Sequence, residues 1–261
     1  MTQPDVVYGD DELAALYDLV YAHYTDDLSL YEQFAARGET PSLELAAGSG
    51  RVALHLARNG HRVVGIDTSR PMLARFEAAL DDTTRSNIRL VEADMRDFDL
   101  GETFDLVYCA LDSFEQLLTN DDAISALRCV ARHLNLGGVF VTELRTLRSV
   151  DWAPSPQAPL SFEWTRQDPG TGGIITKLSS MRASPATQTT TTTLIFDRAA
   201  SDGTVRRRTF DVTLRVFGRH EFELLLAHAG LRVTQRYGDY DLSPLTDDGD
   251  TMIVVAEREG A

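Results

Sequence analysis

The chain has 261 residues, 43% hydrophobic and 25% charged, the balance of a globular protein long enough for one sizeable core with an elaboration. Its formal charge of −15 repels phosphate backbones and anionic bilayers, which argues against nucleic-acid and membrane partners and favours a cationic ligand. Two cysteines, Cys109 and Cys129, make no disulfide framework, the six histidines are scattered without metal-ligand spacing, and Met1 to Asp5 lacks a signal peptide's basic and apolar regions; a cytoplasmic protein without a metal is expected.

From Asp10 to about Ala36 apolar residues recur at three- and four-residue steps (Leu13, Leu16, Tyr17, Val20, Tyr21, Tyr24), predicting a helix. Strands and helices then alternate. Ser42–Ala46 reads as a strand, and Arg51–Arg58 as a helix closed by Asn59-Gly60. Arg62–Ile66 is the next strand, followed by a helix that Ser69 caps with Pro71 in its first turn. Ile88–Glu92 and Phe104–Cys109 are strands, Asp121–Leu134 a helix, and Val139–Leu144 a strand after Gly137-Gly138. Such alternation specifies a parallel sheet with helices on both faces.

After Ser149 the pattern changes. Pro154, Pro156 and Pro159 break the chain, and four β-type runs follow: 161–166, 173–182, 187–196 and 204–216, joined by turns such as Asp168-Pro169-Gly170. They predict an antiparallel insertion, with the threonine run Thr189–Thr193 a β-branched strand that has one face in water. Arg219–Ala229 returns to helix, and two strands, 231–237 and 251–257, complete the main sheet. The organisation expected is an α/β core over 1–149, an antiparallel β insertion over 150–218, and the remainder of the core over 219–261; the insertion's exposed edges are compatible with a homodimer.

The chemistry is concentrated where strand one meets a glycine-rich turn, Glu44-Leu45-Ala46-Ala47-Gly48-Ser49-Gly50-Arg51. Glycines there let backbone amides approach a ligand closely. Asp67, ending the next strand, is placed to accept from two ribose hydroxyls, so a nucleoside-bearing cofactor is indicated. Gly48-x-Gly50-x-x-Ala53 also satisfies the relaxed dinucleotide pattern, which keeps a nicotinamide-dependent oxidoreductase in play as a distant alternative. Two features weigh against it. A carboxylate at Glu44 suits a cationic amino-acid group and not a pyrophosphate, and no Tyr-x-x-x-Lys or similar hydride-transfer constellation is present.

Joined with Ala93-Asp94-Met95-Arg96-Asp97-Phe98 after strand three and Gly137-Gly138 before strand five, these segments resemble the class I methyltransferases that use S-adenosylmethionine (SAM) and release S-adenosylhomocysteine. Two departures stand out: Ala46 and Ala47 occupy positions where Gly and Cys are common, and Asn135-Leu136 replaces Lys-Pro. The resemblance implies a Rossmann-like seven-stranded sheet. It implies a cofactor site of Tyr17, Glu44, Ala46, Gly48, Gly50, Arg51, Asp67, Thr68, Met72, Asp94, Met95 and Ala110. Tyr17-Asp18-x-x-Tyr21, the Asp94–Phe98 string, the β-rich insertion and the C-terminal tail are similar to natural-product methyltransferases with an inserted lid, among them aminosugar N,N-dimethyltransferases and linaridin peptide N-methyltransferases. By that likeness the insertion is a substrate lid and the acceptor an amine of a small metabolite or peptide in secondary metabolism. O-methylation of a hydroxyl or carboxyl is the alternative.

Candidate acceptor-side residues follow strand four. Asp112 and Glu115 are carboxylates able to bind an ammonium or act as base, and the alternative for each is a solvated loop acid. Gln116 stands where related enzymes carry His; it can orient a substrate but takes no proton near neutral pH. Tyr17 serves either cofactor or nucleophile, while Tyr21, one turn on, is expected to pack. Glu143, Arg145 and Tyr240 lie at strand or loop ends near the expected substrate position and are expected to be bystanders.

Overall fold

The computed structural model describes residues 9–21, 23–153, 158–168 and 170–260. The sequence readings at Met1–Asp5, Pro154, Pro156 and Pro169 lie outside those residues. The chain divides into two compact units, one formed by residues up to Ser149 and from Val216 onward, the other by Val150–Arg215.

In the first unit, helices α1 (Asp11–Tyr21) and α2 (Leu28–Ala35) precede strand β1 (Ser42–Leu45). Then come α3 (Arg51–Arg58), β2 (Val63–Asp67), α4 (Arg70–Ala78), α5 (Asp82–Arg85), β3 (Ile88–Glu92) and β4 (Phe104–Cys109). A 3-10 turn over Leu111–Gln116 leads to α6 (Asn120–His133) and β5 (Leu134–Arg145). The second unit contributes β6 (Ser161–Gln167), β7 (Ile174–Ser184), β8 (Thr189–Ala199) and β9 (Val205–Arg215), an antiparallel sheet in sequential order. The chain ends with α7 (Arg219–His228), β10 (Leu231–Tyr237) and β11 (Thr251–Arg258) of the first unit.

The large sheet runs β10-β11-β5-β4-β1-β2-β3, with every strand in one direction except β11, which is antiparallel to both neighbours. Strand order reverses at β1, which is flanked by β2 on one side and β4 on the other. Crevices at such switch points, outside the carboxyl ends of the strands, are where open α/β sheets hold ligands. β1 is buried at all four positions, as a central parallel strand must be. Two apolar clusters sandwich the sheet. One includes Phe104, Phe114, Phe140, Phe217 and Phe222, and the other Tyr31, Phe34, Leu56, Phe76 and Tyr108.

Three differences from the sequence reading have physical causes. The predicted Asp10–Ala36 helix is two helices, because the chain turns at Thr25–Asp27 to bring Asp27 against Arg51. Strand β5 begins at Leu134, immediately after α6, and carries an irregularity: Phe104 pairs Leu134 but Leu106 pairs Val139, with Gly137 at φ +82°. The glycine pair thus sits in a bulge inside the strand, where a residue with positive φ is accommodated. Val216–Gly218 belong with the core and not with the insertion, since Phe217 is 1% exposed and packs on Phe114 and Phe222.

Within the second unit, Ile175 and Phe196 are buried, and Trp164 and Phe210 each lie 6.3 Å from Phe196. The threonine run lies in β8, where Thr190 is buried and Thr191 bonds the Thr213 hydroxyl across the strands at 3.0 Å.

Candidate active site

The turn after β1 forms because left-handed backbone recurs through it: Ala46 has φ +52°, Gly48 +56° and Gly50 +88°. Gly50 caps α3 and abuts the Phe76 ring, whereas a Cβ at Gly48 would meet nothing within 4 Å. The backbone at Gly48 is therefore open to a ligand. Asp67, at the end of β2, accepts the Gly48 amide (2.8 Å) and the Ser69 amide (2.7 Å), tying strand two to the turn. Burial pushes its carboxyl upward, opposed by the Ser69, Gly48 and Thr68 amides. Thr68 is exposed beside it, and Ser69 caps α4 by accepting from the amide of Met72, whose side chain is buried.

On the other flank of the turn, Glu44 is 3% exposed and its Oε2 has no hydrogen-bond partner. Burial pushes its carboxyl up to about 8, with Arg51 pulling the other way. Arg51 grips Asp27 through both guanidinium nitrogens (2.6 and 2.5 Å), donates to the Tyr24 carbonyl (3.2 Å), and lies over the Tyr24 ring at 5.1 Å. Arg51 Nε and the Tyr108 hydroxyl are, like Glu44 Oε2, buried without a partner. A buried acceptor and buried donors left open at one turn complement a zwitterionic amino-acid group, because each orphaned group is costly until met. The amino-acid end of SAM has that character, so these residues fit it. When bound there, SAM supplies an electrophilic methyl group on a sulfonium.

Asp94, after β3, is held by Arg96 through its amide, Nε and Nη2, and Arg96 reaches on to Asp122 at 2.9 Å. Partial burial works to raise Asp94, but the Arg96 bonds dominate and hold it below the ordinary carboxylate range. Met95 is partly buried against the core, and Ala110 is buried at the end of β4. The tyrosines of α1 pack as a pair, Tyr17 on Tyr21 at 4.5 Å, with Tyr24 6.2 Å beyond Tyr21.

The turn after β4 sorts the acceptor-side candidates. Glu115 is fully buried and accepts from the Arg145 amide (2.6 Å) and Nε (2.7 Å), so it is neither a solvated loop acid nor an open base. Burial, with Asp112 beside it, pushes Glu115 up to about 8, against Arg145. The Asp112 side chain is 45% exposed and lies 3.8 Å from Arg145 Nε; desolvation raises its carboxyl, with Arg145 opposing. Gln116 is exposed.

Glu143 and Tyr240, read from the sequence as bystanders, are joined in a buried network. Glu143 Oε1 accepts from the Leu111 amide (2.5 Å) and the Tyr31 hydroxyl (3.2 Å), and Oε2 accepts from the Tyr240 hydroxyl. The Tyr240 and Tyr24 hydroxyls share a hydrogen bond of 2.8 Å. Asp27 and the tyrosines Tyr24, Tyr31 and Tyr108 are the participants that sequence reasoning missed. Only the spacing of Tyr21 and Tyr24 on one face gave any signal. Among the described residues no group of His, Cys, Asp and Glu is arranged to hold a metal, and no helix is long and apolar enough to cross a membrane.

A reversed strand order, a glycine turn at its switch point, an acid ending the second strand and an amino-acid-complementary pocket together define a class I methyltransferase fold with a SAM-type site. Comparison with known proteins agrees. The methyltransferase domain family matches residues 43–138. A dTDP-3-amino-3,4,6-trideoxy-α-D-glucopyranose N,N-dimethyltransferase of Streptomyces venezuelae is 30% identical, over 84% of this chain and 90% of its own. The cypemycin N-terminal methyltransferase of a Streptomyces species is 28% identical over 99% of this chain and all of its own. Among solved structures, the CcbJ methyltransferase of Streptomyces caelestis superposes with a TM-score of 0.79 at 23% identity, covering 99% of this chain and 100% of its own. The chain belongs to the SAM-dependent methyltransferases.

Proposed function

We propose that the protein transfers the SAM methyl group to an amine nitrogen of a small metabolite or peptide in secondary metabolism. The observation that carries this reading is the charge at the strand ends. Glu44, Asp67, Asp112, Glu115 and Glu143 gather there with Asp27, against Arg51 and Arg145. Burial raises Glu44, Glu115 and Glu143 to or above neutral pH, so a cationic acceptor entering this low-dielectric crevice is stabilised by drawing these carboxyls into the ionised form, whereas a carboxylate or phenolate finds no such counter-charge. The relatives support it, since one is named an N,N-dimethyltransferase of an amino sugar and the other an N-terminal methyltransferase.

Methyl transfer is an in-line displacement, so the protein's task is alignment and exclusion of water, contributing on the order of 7 kcal/mol or more in well-oriented systems. We assign the SAM contacts to Tyr17, Glu44, Ala46, Gly48, Gly50, Arg51, Asp67, Thr68, Met72, Asp94, Met95 and Ala110. Asp112 receives the acceptor's ammonium and takes a proton from it, leaving the neutral amine as nucleophile, which Gln116 orients and Tyr17 closes over. The setting is the cytoplasm. Purified protein with SAM would be offered a panel of amino-sugar nucleotides, peptide amines, phenols and carboxylic acids, with mass-spectrometric detection of +14 Da products. Amine products are expected; methylation of phenols or carboxylates with no amine product overturns the reading.

A further inference from the structure

The Glu143 network is not accounted for by packing alone. A carboxylate at the end of β5 is 3% exposed yet takes three hydrogen bonds, from Tyr31 on α2, Tyr240 after β10, and the Leu111 amide after β4. The neighbouring strand β11 presents Ile253 to it, so no cation of that strand balances the charge. The titratable groups that act on it most strongly are Asp27 before α2, Asp112 after β4, Cys109 on β4 and the tyrosines Tyr24, Tyr31 and Tyr240. Arg51 is committed to Asp27 through both nitrogens, and Arg145 to Glu115.

Glu143 and Glu44, whose Oε2 has no hydrogen-bond partner, stand on either side of β4's last residue: both act on the Cys109 thiol, which burial and these carboxylates push up. That residue borders the switch point of the sheet. A positive centre entering there meets Glu44 from β1 and Glu143 from β5. A hydrogen-bond chain also leads away from Glu143, through Tyr240 to the half-buried Tyr24, and either hydroxyl of that pair can donate. The chain can therefore reverse its polarity and pass a proton to solvent without forming a tyrosinate.

We propose that Glu143, held by Tyr31, Tyr240 and the Leu111 amide, is a specificity-determining residue that reads charge at the methyl-donor position: ionised opposite a sulfonium, protonated opposite a neutral thioether. Its proton leaves through Tyr240 and Tyr24 when SAM binds and returns when the demethylated product remains. The device favours SAM over S-adenosylhomocysteine and so limits product inhibition. Burial, opposed by the Tyr240 bond and reinforced by Asp27, pushes the carboxyl up to about 7, which puts the exchange within the physiological range.

Calorimetric titration tests this without an acceptor. SAM, sinefungin (an ammonium in place of the sulfonium) and S-adenosylhomocysteine would be titrated into the wild-type protein from pH 6 to 8.5, in buffers of differing ionisation heat. Near pH 7, SAM and sinefungin should release roughly half a proton more than S-adenosylhomocysteine, and their relative affinity should rise about tenfold from pH 6 to pH 8. Glu143→Gln should abolish both the extra proton and the pH dependence of the ratio. Tyr240→Phe removes a donor to the ionised form and should move the midpoint to higher pH, a change a merely structural role does not produce. Equal proton release and parallel pH profiles for the cationic and neutral ligands in the wild type overturn the proposal. Failure of all three ligands to bind overturns the cofactor site on which it rests.

Discussion

Gly48 and Gly50 belong to one turn, two residues apart, yet the structure assigns them opposite duties. A Cβ built on Gly50 lies 2.3, 2.4 and 2.5 Å from three atoms of the Phe76 ring, which is fully buried and has nowhere to withdraw. Gly50 is also left-handed at φ +88°. For Gly50→Ala, the left-handed conformation costs about 1–2 kcal/mol, and forcing a methyl group into a packed core adds about 1–3 kcal/mol. The sum, about 2–5 kcal/mol, corresponds to a melting shift of roughly 5–15 °C for a chain of this size. At Gly48, with φ +56° and open space before it, Gly48→Ala incurs the conformational cost alone, about 1–2 kcal/mol. The new methyl group would instead stand where a ligand approaches the backbone. Urea denaturation of each variant, paired with calorimetric titration of S-adenosylhomocysteine, separates the two. Gly50→Ala should lose more stability, and Gly48→Ala should retain its fold and lose affinity. Adding Phe76→Ala to Gly50→Ala should recover the steric part, giving a coupling energy above about 1 kcal/mol. Equal stability losses and no coupling with Phe76 would refute the reasoning.

Other positions offer independent checks. Ala46 occupies a left-handed conformation at φ +52°, so Ala46→Gly should be neutral or stabilise by up to about 1 kcal/mol, against the usual penalty for this exchange; a loss beyond about 1 kcal/mol in urea denaturation would count against it. Removing the Asp27 carboxylate in Asp27→Ala leaves Arg51, 14% exposed, without its partner, and should cost about 3–5 kcal/mol together with S-adenosylhomocysteine affinity. Intact melting behaviour in that variant would show the pair to be dispensable. Stability should also depend on pH. Glu44 and Glu115 at about 8 and Glu143 at about 7 all lie above their unfolded values, so the folded chain binds more protons than the unfolded one between the ordinary carboxylate range and pH 8. Their contribution is complete below the ordinary range, falls as pH rises above it with a limiting slope on the order of 1.4 kcal/mol per pH unit for each group, and is gone once pH has passed the folded values near 7 and 8. Ligand-free protein should therefore melt progressively lower from pH 5.5 to 8.5; a flat or rising profile would show that these groups ionise in the fold as freely as in water.

What could be read from the chain follows from how local each determinant is. Period-two and period-3.6 patterns are sequence-local, so β3, β4, α3 and β10 appear where alternation and caps place them, and Ser69 caps α4 as its position before Pro71 implies. The turn at Thr25–Asp27 was illegible for the opposite reason. Apolar spacing runs on through it, and its cause is a carboxylate pairing with Arg51, 24 residues away. The same holds for Glu115. Beside Asp112 and Gln116 it reads as one more loop acid, and only the return of β5 brings Arg145 against it.

Glu143 shows most plainly where sequence pattern stops informing. In Val141-Thr142-Glu143-Leu144 it interrupts an apolar strand, a position whose ordinary meaning is either an error of register or a functional group. The register is not in error, since Thr142 pairs Cys109 on one side and Ile253 pairs Glu143 on the other. Burying a carboxylate there is unfavourable by itself. Three donors from three separate elements reduce that penalty, and two of them, Tyr31 and Tyr240, lie 112 and 97 residues distant. A stable alternative was close at hand, because an apolar residue would pack at this position without desolvating a charge. That the fold retains the acid and surrounds it with hydroxyls argues that the charge has a use when the crevice is occupied. The same reasoning applies to Glu44, whose buried Oε2 has no hydrogen-bond partner. Both acids are then groups whose burial becomes favourable only opposite a cation, which is the property a site for a sulfonium donor and an amine acceptor requires.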